Sequence, residues 1–257
     1  MTDGAEPSGV KSSLRTLEIL EYLGACGERR SIAAMSRDLG IPKSSLHGLL
    51  RTMAARGWLE TDAAGTGYGI GLRALLAGAA YVETDDLVPL ANGALDLVSE
   101  RSGETVHLGR LDGGDIVYLA KRESRHALRL FSAVGRRLPA HATALGKALL
   151  AQLGDDEVEE RLGRPFAKLT PTTITDPAEL HAELAATRQR GYAIDRGENS
   201  AGILCVAVAL RPVQGTWNAI SCSVPESRMT DEHRDEIIAA LEDARVIVDS
   251  LTRRLAS

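Results

Sequence analysis

The chain has 257 residues, enough for one large domain or two smaller ones, and its 44% apolar and 25% charged content is ordinary for a soluble globular protein whose core must be aliphatic, since aromatics are only 4%. No apolar run reaches the roughly 18 residues of a membrane span. The polar N-terminus with Asp3 and Glu6 lacks a signal-peptide core, and Cys26, Cys205 and Cys222 show no CxxC spacing. A disulfide framework and a zinc site are therefore disfavoured, and a reducing cytoplasm fits.

The net charge of −5 is unevenly spread: residues 10–60 hold eight Lys/Arg against five Asp/Glu, and residues 81–257 hold 21 against 27. That bias is compatible with nucleic-acid binding by the first part alone.

Residues 1–10 read as a disordered tail. "SSLRTLEILEYLGAC" opens with hydroxyls suited to N-capping and predicts a helix with Leu14, Leu17, Leu20 and Leu23 on one face. "SIAAMSRDLG" predicts a second helix, capped by Ser31, striped by Ile32, Met35 and Leu39, and stopped by Gly40. Pro42 suits the first turn of a third helix running to about Ala55, with Leu46, Leu49, Leu50 and Met53 as its apolar stripe. "WLET" and "GYGIG" predict short strands around the turn "DAAGT". Helix, helix, tight turn, helix and hairpin is the layout of a winged helix-turn-helix, here residues 11–71. A mostly apolar helix from Leu72 to about Leu87 reads as a connector.

Residues 88–257 alternate strands and helices, and predict an α+β domain with an antiparallel sheet flanked by helices. "ETVHLGRLDGGDIVYLAKRE" is a hairpin turning at Asp112-Gly113-Gly114, and "HALRLFSAV" is a further strand. Thr143 is placed to cap a helix in "TALGKALLAQL", and Asp176, Pro177 and Gly191 bound another. "GILCVAVAL" reads as a buried central strand paired with "NAISCSV". A long amphipathic helix, Asp231 to Leu255, follows Thr230.

The third predicted helix has a polar front opposite its leucines: Lys43, Ser44, Ser45, His47 and Arg51. Lysine and serines suit phosphates, while His47 and Arg51 could reach base edges in a major groove about 12 Å wide. Backbone amides at Ser31 suit a phosphate as well, and Arg15 on the first helix is counted with this surface. Gly48 sits in the middle of the front, where glycine costs a helix roughly 1 kcal/mol relative to alanine. Periodicity alone reads equally well as the solvated face of a small helical domain.

The segments "SSLRTLEILEYL", "GIPKSSLHGLLRTMAARGWLE" and "YGIGLRALLAG" resemble the N-terminal domain of the isocitrate-lyase-regulator (IclR) family of bacterial transcription factors. "LPAHATALGKALLA", "RGYAIDRGENSAGILCVAV" and "AISCSVPESRMT" resemble that family's effector-binding domain, in the family's order. The resemblance implies a GAF/PAS-like C-terminal domain, a small-acid effector, a double-stranded DNA operator, dimers or tetramers and no cofactor. It also marks Gly48 as a departure, since family members commonly carry arginine there.

Within that frame, Ser221 and Ser223 share one face of a strand and suit a carboxylate or hydroxyl. Free amides at Ala144 and Leu145 suit an anion. Leu130, Leu138, Leu145 and Ile203 would line the apolar part, and Asp195 and Cys205 match the family's polar pocket positions. Leu145 stands where the family often has a smaller residue. The general expectation for Cys205 is plain core, and for the two serines a solvent-facing position. His107, His126, His141 and His181 show no metal-ligand spacing and read as structural, with His141 orienting the loop before the pocket helix.

Two other readings compete. A redox switch would use Cys205 and Cys222, predicted on adjacent strands where two thiols could approach, although apolar surroundings argue for inert thiols. An enzyme would use Cys205 or Asp195, but no histidine stands on a recognisable motif with either, and no phosphate loop or metal constellation is present in the sequence.

Overall fold

A computed structural model describes residues 10–128 and 132–255. Leu130, expected in the pocket, lies outside the described residues. The chain divides after Thr84 into two compact units.

The first unit comprises α1 (Lys11–Cys26), β1 (Arg30–Ser31), α2 (Ile32–Leu39), α3 (Lys43–Ala55), β2 (Leu59–Thr61), β3 (Gly67–Ile70) and α4 (Leu72–Glu83). Ser31 caps α2, its Oγ accepting from Ala34 N at 3.2 Å, and Gly40 ends it in the left-handed region at φ 65°. Leu46, Leu50 and Met53 of α3 join Met35, Ile41 and Leu59 in one core. The face of α1 differs from the expected one. Leu14 and Leu17 are exposed, whereas Leu23 is in the core as expected, Leu20 packs partly buried against it, and Ile19 joins them. A repeat of three walks backward around a helix of 3.6 residues per turn, so Leu14 and Leu23 end on opposite sides. The expected hydroxyl cap is also absent, because the helix already begins at Lys11, behind Val10.

In the wing, Asp62 Oδ1 accepts from Thr66 N at 2.8 Å and Oδ2 from Gly67 N at 2.9 Å, closing the β2–β3 turn. The two-residue β1 pairs with β3 and had no visible signal in the sequence. The helix expected to reach Leu87 ends at Glu83. Thr84 turns its Oγ1 back to the Ala80 carbonyl at 2.8 Å, and Asp85 Oδ1 accepts from Leu87 N and Val88 N at 3.0 and 3.1 Å, starting a new helix.

That helix, α5 (Leu87–Ser102), opens the second unit, which continues with β4 (Thr105–Asp112), β5 (Asp115–Arg122), β6 (Arg137–Pro139), α6 (Ala144–Leu150), α7 (Asp155–Leu162), α8 (Pro177–Arg190), β7 (Ala193–Arg196), β8 (Ile203–Ala209), β9 (Asn218–Pro225) and α9 (Asp231–Leu255). The strands form an antiparallel sheet in the order β6-β5-β4-β9-β8-β7. The strand expected over residues 126–134 does not form among its described residues. The outer edge of β5 is taken by Arg137–Pro139 instead, and Leu128 and Val134 remain exposed.

Alternation sends the two faces of the sheet to different partners. Val106, Leu108, Val206, Ile220, Cys222 and Val224 are buried on the face covered by α5 and α9. The other face is lined by small residues, Ala193, Ala207 and Ala219, on which α6 packs. Gly109 permits this close seat on the sheet, and Gly146 permits the tight turn that leads into α6. A Cβ on Gly109 would come 2.8 Å from Leu145 Cδ1, and one on Gly146 would come 2.0 Å from the Ala140 carbonyl oxygen.

Lys147 of α6 is wholly buried, with Nζ 2.6 and 2.8 Å from the Glu198 carboxylate oxygens. Removing one member of a buried ion pair typically costs about 3–5 kcal/mol, because the other charge is left uncompensated. Lys147→Met should therefore lower unfolding stability by about that much, measured by denaturant titration, and a Lys147→Met/Glu198→Leu double variant should recover a large part of the loss.

Candidate functional site

The front of α3 is available in the form its sequence suggests. Lys43, Ser44, His47, Gly48 and Arg51 are exposed, and Ser45 is half-buried. Among the described residues Lys43 and Arg51 form no ion pair, whereas Arg29, Arg30 and Arg37 are each matched with an acidic side chain. Ser31 is exposed at the start of α2, its hydroxyl occupied by the cap, and Arg15 is half-buried on α1. A Cβ on Gly48 would meet nothing within 4 Å. Packing inside the unit therefore gives no reason for this glycine, and Gly48→Ala should stabilise the first unit by roughly 1 kcal/mol, measured by chemical denaturation. If the bare backbone serves close approach to DNA, the same variant should bind its operator more weakly.

In the second unit, the first turn of α6, the β7–β8 loop and the polar face of β8 and β9 converge. Ala144, Leu145, Asp195, Ile203, Cys205, Ser221 and Ser223 surround one cavity of about 20 Å³, room for about one water molecule. A larger guest requires lining side chains to move. Register explains the convergence: Asp195 stands opposite Cys205, and Cys205 opposite Ser223, in a row across three strands. Cys205 Sγ donates to Ser223 Oγ at 3.2 Å. Ser221 and Ser223 are buried, not solvent-facing. Thr143 caps α6 by accepting from Gly146 N at 3.0 Å, which leaves the Ala144 and Leu145 amides at the cavity.

Leu138 does not reach this cavity. It sits on the edge strand β6 opposite Ile116, within the apolar core. The sequence reading missed Tyr118, Asn199 and Ser200, which also line the cavity, and gave Thr143 only a capping role. Tyr118 had a usable signal, since it alternates with the buried Ile116 on β5. Asn199 and Ser200 had none, because they lie in a loop whose path depends on Glu198. His141 holds the loop before α6, its Nε2 3.0 Å from the Ala167 carbonyl oxygen and its ring stacked on Phe166.

Burial dominates the electrostatics of the site. Desolvation, reinforced by the neighbouring Glu198 charge, pushes the Asp195 carboxyl up to about 7, against the hydrogen bond that Glu198 N donates to Oδ1 at 2.6 Å. Burial likewise pushes the Cys205 thiol well above its usual range and the Cys222 thiol up to about 12. The two thiols do not face each other. Cys205 pairs in register with Ser223, and Cys222 with Val206, so they project from opposite faces of the sheet. The redox reading is corrected on that ground. Among the described residues, no cluster of His, Cys, Asp and Glu could hold a metal ion.

An exposed helix-turn-helix front in one unit and a small cavity with converging hydroxyls in the other are the features of a DNA-binding regulator with a second, effector-type domain. Residues 12–63 match the IclR helix-turn-helix domain and residues 79–249 match the bacterial transcriptional regulator IclR C-terminal domain. The chain belongs to the IclR family of bacterial transcriptional regulators. It is 38% identical over 230 residues to the HTH-type transcriptional regulator XynR of Escherichia coli (strain K12), covering 86% of this chain and 89% of that one. It is 32% identical over 231 residues to the transcriptional repressor IclR of the same strain, covering 88% and 84%. The crystal structure of an IclR homologue from Microbacterium hydrocarbonoxydans, complexed with 4-hydroxybenzoate, superposes with a TM-score of 0.77 at 25% identity, covering 95% of this chain and 99% of that one. These relatives are regulators, not enzymes, and the catalytic reading of Cys205 and Asp195 is set aside.

An anionic ligand beside Asp195 should bind with proton uptake. Above pH 7 the Asp195 carboxylate repels it, and below pH 7 the neutral carboxyl donates to it. Affinity for a carboxylic acid should fall by up to about tenfold per pH unit above 7 and level off below. Titration calorimetry between pH 6 and 8 checks this, and Asp195→Asn should flatten the slope.

Proposed function

We propose that the protein represses a catabolic operon from a pseudo-palindromic operator and is controlled by a small organic-acid effector. The observation that carries this reading is the cavity where Asp195, Cys205, Ser221 and Ser223 converge under the first turn of α6. Two hydroxyls and two backbone amides on one side suit a carboxylate, and Leu145 and Ile203 supply an apolar wall. The 4-hydroxybenzoate bound by the Microbacterium homologue supports an acid of this size. The repressor name of the relative at 32% identity supports the direction of control.

Lys43, Ser44 and Ser45 hold phosphates, with help from Arg15 and the amides at Ser31, while His47 and Arg51 read base edges. One short recognition helix reads too few base pairs for useful specificity, so two copies engage two half-sites. Leu72, Leu75, Leu76 and Tyr81 of α4 and Leu14 and Leu17 of α1, all exposed, offer apolar surface for a dimer, which can pair again into a tetramer. Residues 11–71 act as the winged DNA-binding domain, residues 72–87 as the connector and residues 88–257 as the sensor, all in the cytoplasm.

The test is the melting temperature of the full chain, with and without Ser223→Ala, against a panel of small aliphatic, aromatic and sugar-derived acids. An effector at 100 times its dissociation constant should stabilise the native state by about 2.7 kcal/mol, lose that effect in Ser223→Ala, and release the protein from its operator in a gel shift. A panel on which no acid moves the wild-type transition sinks the reading.

A further inference from the structure

The polar face of β9 continues beyond the cavity onto β4. Thr105 stands opposite Ser223, and His107 opposite Ser221. Residues directly opposite in an antiparallel pair project to the same side, so both side chains share the pocket face. Both residues are buried, at 2% and 0% exposure. The His107 ring stacks on Tyr118 with centroids 4.2 Å apart, and Tyr118 lines the cavity.

The hydrogen bonding of these two residues is incomplete. His107 Nε2 meets Ser132 Oγ at 2.7 Å, but among the described residues the buried His107 Nδ1 and Thr105 Oγ1 have no partner. Buried polar atoms are nearly always paired, and an unpaired one costs stability. Valine would fill the space of Thr105 without that cost. These two orphans occupy adjacent same-face positions of one strand, directly across from Ser221 and Ser223 and one strand beyond the side chains that line the cavity.

We propose that Thr105 and His107 form a second polar subsite of the effector pocket, one strand beyond Ser221 and Ser223, which selects acids carrying a hydroxyl remote from the carboxylate. The inference rests on the effector reading of the pocket. One strand spacing is about 4.8 Å, which sets the distance between the two ligand groups. A hydroxyl is favoured over a second carboxylate for two reasons. Burial holds the His107 imidazole neutral, pushed down to about 3. Of the two nearby cations, Lys121 is already held by Glu123 Oε1 at 2.9 Å and the Ser132 carbonyl oxygen at 2.7 Å, and Arg136 is not without a partner either. A neutral imidazole nitrogen and a threonine hydroxyl match a group that can both donate and accept.

The experiment uses the full chain and matched probes: pentanoate against 5-hydroxypentanoate, benzoate against 4-hydroxybenzoate, and glutarate for a second carboxylate. Affinities are measured by calorimetry for the wild type, Thr105→Val, His107→Phe and Ser223→Ala. His107→Phe keeps a ring on Tyr118, and Thr105→Val keeps the shape of threonine. The wild type should prefer each hydroxy acid to its plain partner at least tenfold. Thr105→Val and His107→Phe should each reduce that preference at least fivefold, and Thr105→Val without ligand should melt no lower than the wild type. An unchanged preference in both variants, a lower melting point for ligand-free Thr105→Val, or tighter binding of glutarate than of 5-hydroxypentanoate overturns the subsite. In those cases loss of all acid binding in Ser223→Ala leaves the effector reading standing. If the wild type binds none of the probes, that reading and the subsite fall together.

Discussion

The ligand half of this protein depends on one buried ion pair. Lys147 on α6 and Glu198 in the β7–β8 loop meet at 2.6 Å with almost no solvent around either. Two ions taken out of water are tolerated only when their geometry and remaining hydrogen bonds are good. Here Glu198 is held from several sides. Its amide donates to Asp195, and its carbonyl oxygen accepts from Thr173 Oγ1 at 2.6 Å. Satisfying Lys147 thus fixes the loop, and the loop presents Asn199 and Ser200 to the cavity beside Asp195 of β7. The same lysine fixes α6, whose first turn supplies the opposite wall.

The pocket is small because its two walls approach closely. Gly109 removes the atoms that would hold α6 away from the sheet, Gly146 lets α6 close against the Ala140 turn before it, and the alanines of the central strands leave the surface beneath it flat. The polar groups below α6 are then cut off from water. That burial raises the Asp195 carboxyl, lowers the His107 imidazole and leaves Thr105 unpaired.

The DNA-binding half follows the opposite logic. Its core is one set of aliphatic side chains under α3, and everything of interest is outside it. Gly48 shows the contrast. Gly109 and Gly146 are explained by atoms that crowd them, whereas Gly48 faces open space and nothing within its own unit explains it.

Local signals in the sequence determined much of this protein. Capping residues fixed the starts of α2, α6, α8 and α9, the spacing of leucines fixed the buried face of α3, and the Asp112-Gly113-Gly114 turn fixed the β4–β5 hairpin. These succeed because the interaction joins residues three or four apart, or two strands across one turn. The motifs that resemble the IclR family supplied the pairing of a DNA reader with a sensor. Tertiary structure decided the rest. The break at Thr84, the placement of β6 and the true face of α1 each depend on which partner wins a competition for packing. The opposite projections of Cys205 and Cys222 depend on register between distant strands, which composition cannot reveal. The Lys147–Glu198 pair and the row from Asp195 to Thr105 likewise join residues far apart in the chain. Only the assembled sheet with α6 seated on it brings them together, because an alternation that is visible within one strand says nothing about which strand lies beside it.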